Sequence, residues 1–205
     1  MDHFPPPPAT QGYSLRKANK ADLDDITQIH ISGFVEEPMD NYCYPFRFKY
    51  RKDHFKWTRK EYEYYLDNSQ KYLVHVAEAA EQPEGDRGLD QRKDANKKHV
   101  EAYLKVASNR YEPHGFFFKW AEKQINLSVL TVLPEFRRQG VGAMMVNWGI
   151  NAATEKGWPA TVCASPLGKL LYAHLKFGVI GTEVIQAEGE EDSFSTAVMV
   201  LCPEE

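Results

Sequence analysis

The sequence lacks a long apolar run, and none of its apolar segments approaches the roughly 18 residues that a membrane helix needs. Prolines stand near the N-terminus, where a signal peptide would carry its apolar segment. The three cysteines, Cys43, Cys163 and Cys202, have neither metal-ligand nor C-x-x-C spacing, which predicts free, buried thiols in a reducing compartment. These absences predict a soluble cytoplasmic protein that holds no metal.

An excess of one charge is also missing. The chain carries 25 Lys and Arg against 29 Asp and Glu, so its net charge is only -4. Aromatic and basic residues alternate between Glu36 and Asp67, a composition found in single-strand nucleic-acid platforms and in packed helices alike. The acidic residues of this stretch dilute its positive charge and favour packing. We therefore predict no nucleic-acid partner and no membrane partner.

The length of 205 residues predicts a single domain with a full core. Residues 1–11, with Pro5 to Pro8, predict a flexible proline-rich tail, and the domain is expected to span residues 12–205. Alternating patterns predict strands at Tyr72 to Ala79 and Val100 to Ala107. The polar segment between them, at about residues 80–98, predicts a charged loop insertion.

The remaining pattern alternates strands with helices. Asn19 is a candidate N-cap of a first helix, on whose apolar stripe His30 is expected to be a packed core histidine. Further helices are predicted at Arg51 to Leu66, from Val141 onward and at Pro166 to Phe177. Strands are predicted at Tyr13 to Arg16, Ile125 to Leu133, Ala160 to Ala164, Val179 to Gln186 and Phe194 to Leu201. This order predicts an α/β fold with a central mixed sheet.

A turn rich in glycine and arginine, from Arg137 to Gly142, joins one predicted strand to the next helix. Gly140 and Gly142 let the backbone approach a ligand closely, while the first amides of the helix have no intrahelical partner. These amides, the helix dipole and two arginines together predict a pyrophosphate site. The spacing matches neither the dinucleotide-binding G-x-G-x-x-G pattern nor the P-loop.

With its flanking runs, Val129 to Phe136 and Ala164 to Tyr172, this turn resembles the acetyl-coenzyme A motifs of the GNAT superfamily of N-acetyltransferases. The resemblance follows the element order over roughly residues 12 to 201 and is specific from about 125 to 178. It implies a mixed, mostly antiparallel sheet of about seven strands flanked by about four helices. The fourth and fifth strands are then expected to splay apart and admit the pantetheine arm of the co-substrate, acetyl-CoA.

The resemblance also implies cofactor contacts. The backbone of the strand that precedes the turn is expected to bind pantetheine and to polarise the acetyl carbonyl, and the turn is expected to hold the pyrophosphate. The candidate residues are Leu130, Thr131, Val132, Leu133, Arg137, Arg138, Gln139, Gly140, Val141, Gly142, Ala143, Ser165 and Lys169.

Tyr172 is the candidate general acid. The predicted apolar stripe of its helix is Leu167, Leu170, Leu171, His174 and Leu175, and Tyr172 lies off that stripe. By pattern alone it is a half-buried wall, whereas the resemblance implies that it protonates the departing thiolate. Relatives commonly carry Gly-Phe after this helix, but the chain has Lys176-Phe177-Gly178, which predicts a helix end displaced by one residue.

The acceptor side has no assigned base. Asn126 and Ser128 share one strand face, which predicts either a water-lined cleft or local hydrogen bonds. The resemblance places a glutamate or histidine base at these positions, and neither residue is a strong base. We expect them to hold waters that pass a proton elsewhere. Phe34, Glu36 and Glu37, after the first helix, are the candidate acceptor-binding residues, and the two glutamates are the first candidates to receive that proton.

The sequence thus predicts acetyl transfer from acetyl-CoA to a primary amine, in a monomer or homodimer, by direct attack in a ternary complex. A covalent route is disfavoured because Cys163 has no adjacent histidine to activate it. Two alternatives stay open. In the first alternative, the domain binds coenzyme A without catalysis. In the second, it acetylates proteins and peptides in an open groove rather than small molecules in a pocket.

Overall fold

The computed structural model describes residues 16–69, 72, 74, 91–120, 123–134 and 137–203. Among these residues there are six α-helices and four strands. The helices are α1 (Leu23–Gly33), α2 (Pro38–Cys43), α3 (Arg51–Asp67), α4 (Lys97–Asn109), α5 (Val141–Lys156) and α6 (Gly168–His174). The strands are β1 (Ile125–Leu127), β2 (Ala160–Ala164), β3 (Gly178–Gln186) and β4 (Ser193–Leu201). The predicted tail, most of the predicted strand at 13–16 and most of that at 72–79 lie outside the described residues.

Capping starts α1 where the sequence places it. The Asn19 side chain accepts from the Ala21 amide at 2.9 Å, and the Asp22 carboxylate accepts from the Asn19 amide at 2.9 Å. This reciprocal capping box closes a short 3-10 turn that leads directly into α1. The apolar stripe then buries Leu23 and Ile26 against Tyr62 and Tyr65 of α3. The predicted α1 and α3 are both confirmed.

The strand predicted at Val100 to Ala107 is wrong, because these residues form α4. Asn96 caps the helix by accepting from the His99 amide, and Val100, Tyr103, Leu104 and Ala107 recur at helical spacing. The same stretch also has apolar residues at every second position, Val100, Ala102, Leu104 and Val106, and this alternation favoured the strand prediction. The last part of the predicted charged loop therefore leads into a helix that covers the sheet.

The described end of that predicted loop packs into the protein. Asp94 is fully buried, accepts from Arg92 through two nitrogens and lies 2.7 Å from His54 Nδ1 on α3. Burial opposes the ionised carboxylate, but the hydrogen bonds from His54 and Arg92 hold the pKa of Asp94 well below its usual range. A buried, satisfied ion cluster thus anchors the start of α4.

The sheet has the strand order β1-β2-β4-β3. β1 runs parallel to β2 in a short pairing from Ile125–Ala160 to Leu127–Val162, and β2 pairs antiparallel with β4 along its whole length. β3 and β4 form an antiparallel pair that includes one irregularity between Val179 and Gly181. The α/β class and the mixed sheet are confirmed. The described residues hold four strands and six helices rather than about seven and four.

Helices cover both faces of the sheet. α5 and α6 pack on the face that presents Val162, Ala197 and Met199, and α2 and α4 pack against Ile185 and Phe194. None of the helices among the described residues is long and apolar enough to cross a membrane. Of the three cysteines, which are all free, Cys43 is buried as predicted, Cys163 is half-buried, and Cys202 is exposed, contrary to the prediction.

Candidate active site

A cleft opens where β1 leaves β2. The last pair between the two strands is Leu127–Val162, after which β2 continues to Ala164 while the chain from residue 128 leaves the sheet. The predicted strand to Leu133 therefore ends as a strand at Leu127. The cleft has a volume of about 1480 Å³ and is lined from both sides of this gap, from the end of α1, from α4 and from α6. The resemblance placed a splay between two strands at this point.

The glycine turn forms one end of the cleft. Gly140 caps α5 with φ of 83°, and Arg138 also has a positive φ, of 62°. The first helical hydrogen bond runs from the Met144 amide to the Gly140 carbonyl at 2.9 Å, so the amides of residues 141–143 precede the hydrogen-bonded ladder. The backbone conformation and the helix N-terminus fit an anionic pyrophosphate.

Most of the predicted cofactor residues reach this cleft. Ten of them line it, namely Leu130, Thr131, Val132, Arg137, Arg138, Gly140, Val141, Gly142, Ala143 and Ser165. Leu133, Gln139 and Lys169 do not line it. Lys169 projects from the exposed side of α6, and Leu133 follows the cleft segment by one residue.

Tyr172 points inward rather than to the edge of α6. Its side chain is buried, with Phe177 at its edge, while Leu167 and Leu170 are 61% and 75% exposed. The predicted apolar stripe is therefore right for Leu171 and Leu175, which pack against the core, and wrong for Leu167, Leu170 and His174, which are exposed, while Tyr172 takes a core position. Burial raises the pKa of Tyr172, and the nearby charge of Glu37 raises it further. The phenol remains a proton donor at neutral pH.

Glu37 faces Tyr172 from the other side of the cleft. It is the residue before α2, and its Oε1 atom is buried with no hydrogen-bond partner among the described residues. Burial raises the pKa of Glu37, although the Ser165 hydroxyl and Arg137 act to lower it. The neighbouring Glu36 is exposed, and Phe34 is half-buried at the end of α1. All three predicted acceptor-side residues line the cleft.

Solved structures of N-acetyltransferases superpose on this chain over most of its length. A GCN5-related N-acetyltransferase of Rhodopseudomonas palustris superposes with a TM-score of 0.53 at 14% identity, over 92% of this chain and 94% of that one. Arylalkylamine N-acetyltransferase 2 of Aedes aegypti gives a TM-score of 0.56 at 10% identity, over 93% and 98%. This chain therefore has the fold of the GNAT N-acetyltransferases.

A curated relative is consistent with the GNAT fold. A protein named acetyltransferase, from Stachybotrys chartarum, is 23% identical over 224 residues, which cover 96% of this chain and 93% of that protein. No protein-family model matches the chain.

One departure from the GNAT pattern has a local explanation. Lys176 ends α6 with φ of 71°, a left-handed conformation that glycine adopts most readily. Phe177 is buried directly after it, and its amide donates to the Tyr172 carbonyl at 3.0 Å. Lys176-Phe177 thus has a conformation that suits the Gly-Phe pair common in relatives, and the displaced helix end stays a prediction.

In this GNAT fold Arg137 joins the cofactor end to the acceptor end. Its guanidinium donates to the Val132 carbonyl at 3.1 Å and to the Gly33 carbonyl, at the end of α1, at 2.9 Å. Gly33 lies so close to the strand segment that a Cβ atom there would overlap Thr131 Oγ1. Arg137 thus holds the loop that carries Glu37 against the segment that contains Val132, a connection that the sequence pattern did not reveal.

Asn126 and Ser128 line the cleft and also make local hydrogen bonds. Ser128 Oγ donates to Asn126 Oδ1 at 3.0 Å, and Asn126 Nδ2 donates to Thr161 Oγ1 at 3.0 Å. Thr161 in turn donates to Gln124. Both readings of these two residues hold, since one polar chain serves the cleft wall and the strand pair. None of the side chains in this hydrogen-bonded series is an acid or a base.

Sequence reasoning missed the far wall of the cleft. Buried Arg110 pairs with Glu183 through Nε, at 3.0 and 2.9 Å, and through a second nitrogen at 2.8 Å. Arg110 follows α4, and most of that helix was predicted to be a strand. The apolar positions of α4 at helical spacing are the signal that would have located it. Half-buried His30 also lines the cleft, where burial lowers its pKa to about 4 and Tyr62 lies 2.9 Å from Nδ1.

Two other chemistries find no support here. Burial raises the pKa of Cys163 to about 12, even though Arg110 lowers it, so this cleft thiol is not a nucleophile at neutral pH. Within the described ranges, no group of three His, Cys, Asp or Glu side chains is placed to hold a metal ion.

Replacing Gly140 with valine is expected to weaken acetyl-CoA binding at least about tenfold, because a β-branched residue at positive φ costs about 1–3 kcal/mol and displaces the backbone of the turn. Gly157 provides the matched control, since it caps the other end of α5 with φ of 64° and equal open space around its missing Cβ. Calorimetric titration measures both variants. Equal affinities in two folded proteins would contradict the assignment of the turn.

Proposed function

We propose that this protein transfers the acetyl group of acetyl-CoA to the primary amine of a small molecule, by direct attack within a ternary complex. One observation carries this proposal. A single cleft joins a helix N-terminus suited to pyrophosphate with the half-buried carboxylate of Glu37, one oxygen of which is buried, and the buried phenol of Tyr172. The GNAT fold and the relative named acetyltransferase support the same reaction.

The cofactor end binds the co-substrate, whose thioester supplies the acetyl group. The amides of residues 141–143 and the positive end of α5 bind the pyrophosphate, with Arg138 adding charge at the turn. The backbone of Leu130 to Val132, free of strand pairing with β2, binds pantetheine and polarises the acetyl carbonyl.

Glu37 receives the amine. An alkylammonium has a pKa of about 10, so it must lose a proton before it attacks. The unpartnered Oε1 atom of Glu37 attracts the ammonium, and its raised pKa makes this carboxylate a better proton acceptor than an ordinary surface glutamate. Water held at Ser128 extends its reach to the amine. Glu36, which is exposed, is the weaker of the two predicted candidates.

Tyr172 returns a proton to the departing thiolate. Its phenol is protonated at neutral pH because burial raises its pKa, and it lies on the cleft wall between the cofactor turn and Glu37. Direct attack is favoured over an acetylated cysteine because the half-buried Cys163 keeps its proton.

The alternative class is a domain that binds coenzyme A without catalysis. Both classes bind the cofactor, and only the enzyme releases thiol when an amine is present. A thiol-release assay with acetyl-CoA against alkylamines, polyamines, amino acids and lysine peptides separates them. Release that depends on a small amine is the expected result. Calorimetric binding without release would establish the alternative, and release with peptides alone would establish a protein acetyltransferase.

Ser128→Ala and Asn126→Ala are each expected to lower the rate about fivefold at pH 7, the effect of losing one hydrogen bond of about 1 kcal/mol. Because these residues hold water on the path to Glu37, much of the loss should disappear at high pH, where free amine is abundant. Ser108→Ala is the control, as its hydroxyl also lines the cleft but bonds to its own helix at Lys105. A pH-rate profile lowered by a constant factor would assign Asn126 and Ser128 to substrate positioning alone.

A further inference from the structure

We propose that the acceptor is a monoamine with an uncharged, mainly apolar body, and is neither a polyamine nor an amino acid. This inference rests on the proposed function and concerns the same cleft. It follows from the charges and side chains that face the acceptor end.

The acceptor end offers one anchoring carboxylate. Among the described residues that line the cleft, the only acidic ones are Glu36 and Glu37. Glu36 is exposed, and its charge is screened by solvent, whereas one oxygen of Glu37 is buried and unpartnered. A single ammonium satisfies Glu37. A second ammonium on the same molecule would have to leave water without a carboxylate to receive it.

The far wall presents apolar side chains and a charge pair that is already satisfied. Met39, Tyr103, Leu104 and Tyr111 line this part of the cleft. Behind them, Glu183 accepts two hydrogen bonds from Arg110 Nε and a third, from Thr196, at 3.4 Å. The carboxylate of Glu183 is therefore occupied.

Among the described residues that line the cleft, no buried cation is left for a carboxylate on the acceptor. The positive charge of Arg110 is matched by Glu183, and an acidic substrate would have to break that buried pair. Lys105 lines the cleft but is exposed, so it gives weak attraction to an anion and repels a second ammonium. His30 is uncharged at neutral pH, and its ring lies 4.6 Å from that of Phe34, which adds a further apolar surface beside Glu37.

Two pairs of probes test this inference. 2-Phenylethylamine and phenylalanine share a body and differ by one carboxylate, and hexylamine and 1,6-diaminohexane differ by one ammonium. In each pair we expect the first compound to have a kcat/KM at least about 100-fold higher, the size of discrimination that an unpaired buried charge gives. Similar values within either pair would overturn the inference.

A variant changes the preference in a known direction. Ser108 is an exposed cleft residue on α4, so Ser108→Asp adds a second carboxylate to the far wall without disturbing the core. Because Ser108 is exposed and solvent screens the new charge, the ratio of kcat/KM for diaminohexane to that for hexylamine is expected to rise only about two- to fivefold in Ser108→Asp and to stay unchanged in Ser108→Asn. An unchanged ratio in both variants would count against a charge-selected acceptor.

Calorimetric binding of the same four probes to the coenzyme A complex separates this inference from the proposed reaction. If no amine releases thiol but the two monoamines still bind more tightly than their partners, the acceptor class stands and the proposed catalysis fails. If thiol is released, and phenylalanine and 1,6-diaminohexane bind as tightly as the two monoamines, the proposed catalysis stands and the proposed acceptor class fails.

Discussion

Tyr172→Phe is expected to lower turnover by about 100- to 10,000-fold, the usual contribution of a positioned general acid or base. The substitution removes only the hydroxyl. The ring stays buried between α6 and the sheet, so the fold and acetyl-CoA affinity should be preserved. Single-turnover kinetics measure the chemical step, and calorimetry measures the affinity.

The control for Tyr172 is another buried tyrosine. Tyr65 lies in the cluster between α1 and α3, away from the cleft, and its hydroxyl donates to Glu61 at 2.7 Å. Tyr65→Phe should lose stability without losing rate. If Tyr172→Phe slows the chemical step less than threefold, Tyr172 is part of the cleft wall and another group protonates the thiolate.

Glu37→Gln is expected to lower the rate at pH 7 by about 100- to 1,000-fold, since it removes both the anion that attracts the ammonium and the proton acceptor. Burial raises the pKa of Glu37, so the wild-type rate should rise with pH as this carboxyl loses its proton. The variant has no such group. Its rate should follow the free amine, rising about tenfold per pH unit toward the amine pKa of about 10. The defect should therefore shrink as pH increases.

Other groups around Glu37 also titrate, and controls separate them. Burial raises the pKa of Asp40, one turn along α2, to about 7, while Tyr172 keeps its proton through the neutral range. If Asp40 causes a step near pH 7 in the pH-rate profile, Asp40→Asn should remove that step and leave the part of the profile that depends on Glu37. Glu36→Gln, which changes an exposed charge, should cost less than threefold. An equal loss in the two glutamine variants would mean that Glu37 has no special role.

The conformation of the glycine turn could be predicted because its signal is local. The turn from Arg137 to Gly142 specifies its own backbone through glycine conformations and through the helix that follows. Strands β2, β3 and β4 were predicted within one residue for the same reason, as each has a continuous apolar or alternating run. The N-cap Asn19 and helix α3 were also predicted from local signals of this kind.

The acceptor end could not be predicted to the same depth. The apolar residues at 100–107 fit both the period of a strand and the period of a helix. Because these residues pack against β3, they form a helix. Arg110 and Glu183 are separated by 73 positions, so their pairing has no local signature. At the start of α6, Leu167 and Leu170 are exposed although they are apolar, because the cleft rather than the core lies beside them.

By itself, the sequence determined the α/β class, the resemblance to GNAT proteins and the order of most elements, because these depend on contacts between residues a few positions apart. Only the tertiary structure decided which glutamate has a buried oxygen, that its charge lies near Tyr172 and that Arg137 joins the end of α1 to the Val132 carbonyl. Burial raises the pKa of Glu37 and of Tyr172, and the pKa of Tyr172 is raised further by a charge that a distant segment brings near it. Burial of a charged group is a property of the assembled layers, and no local pattern encodes it.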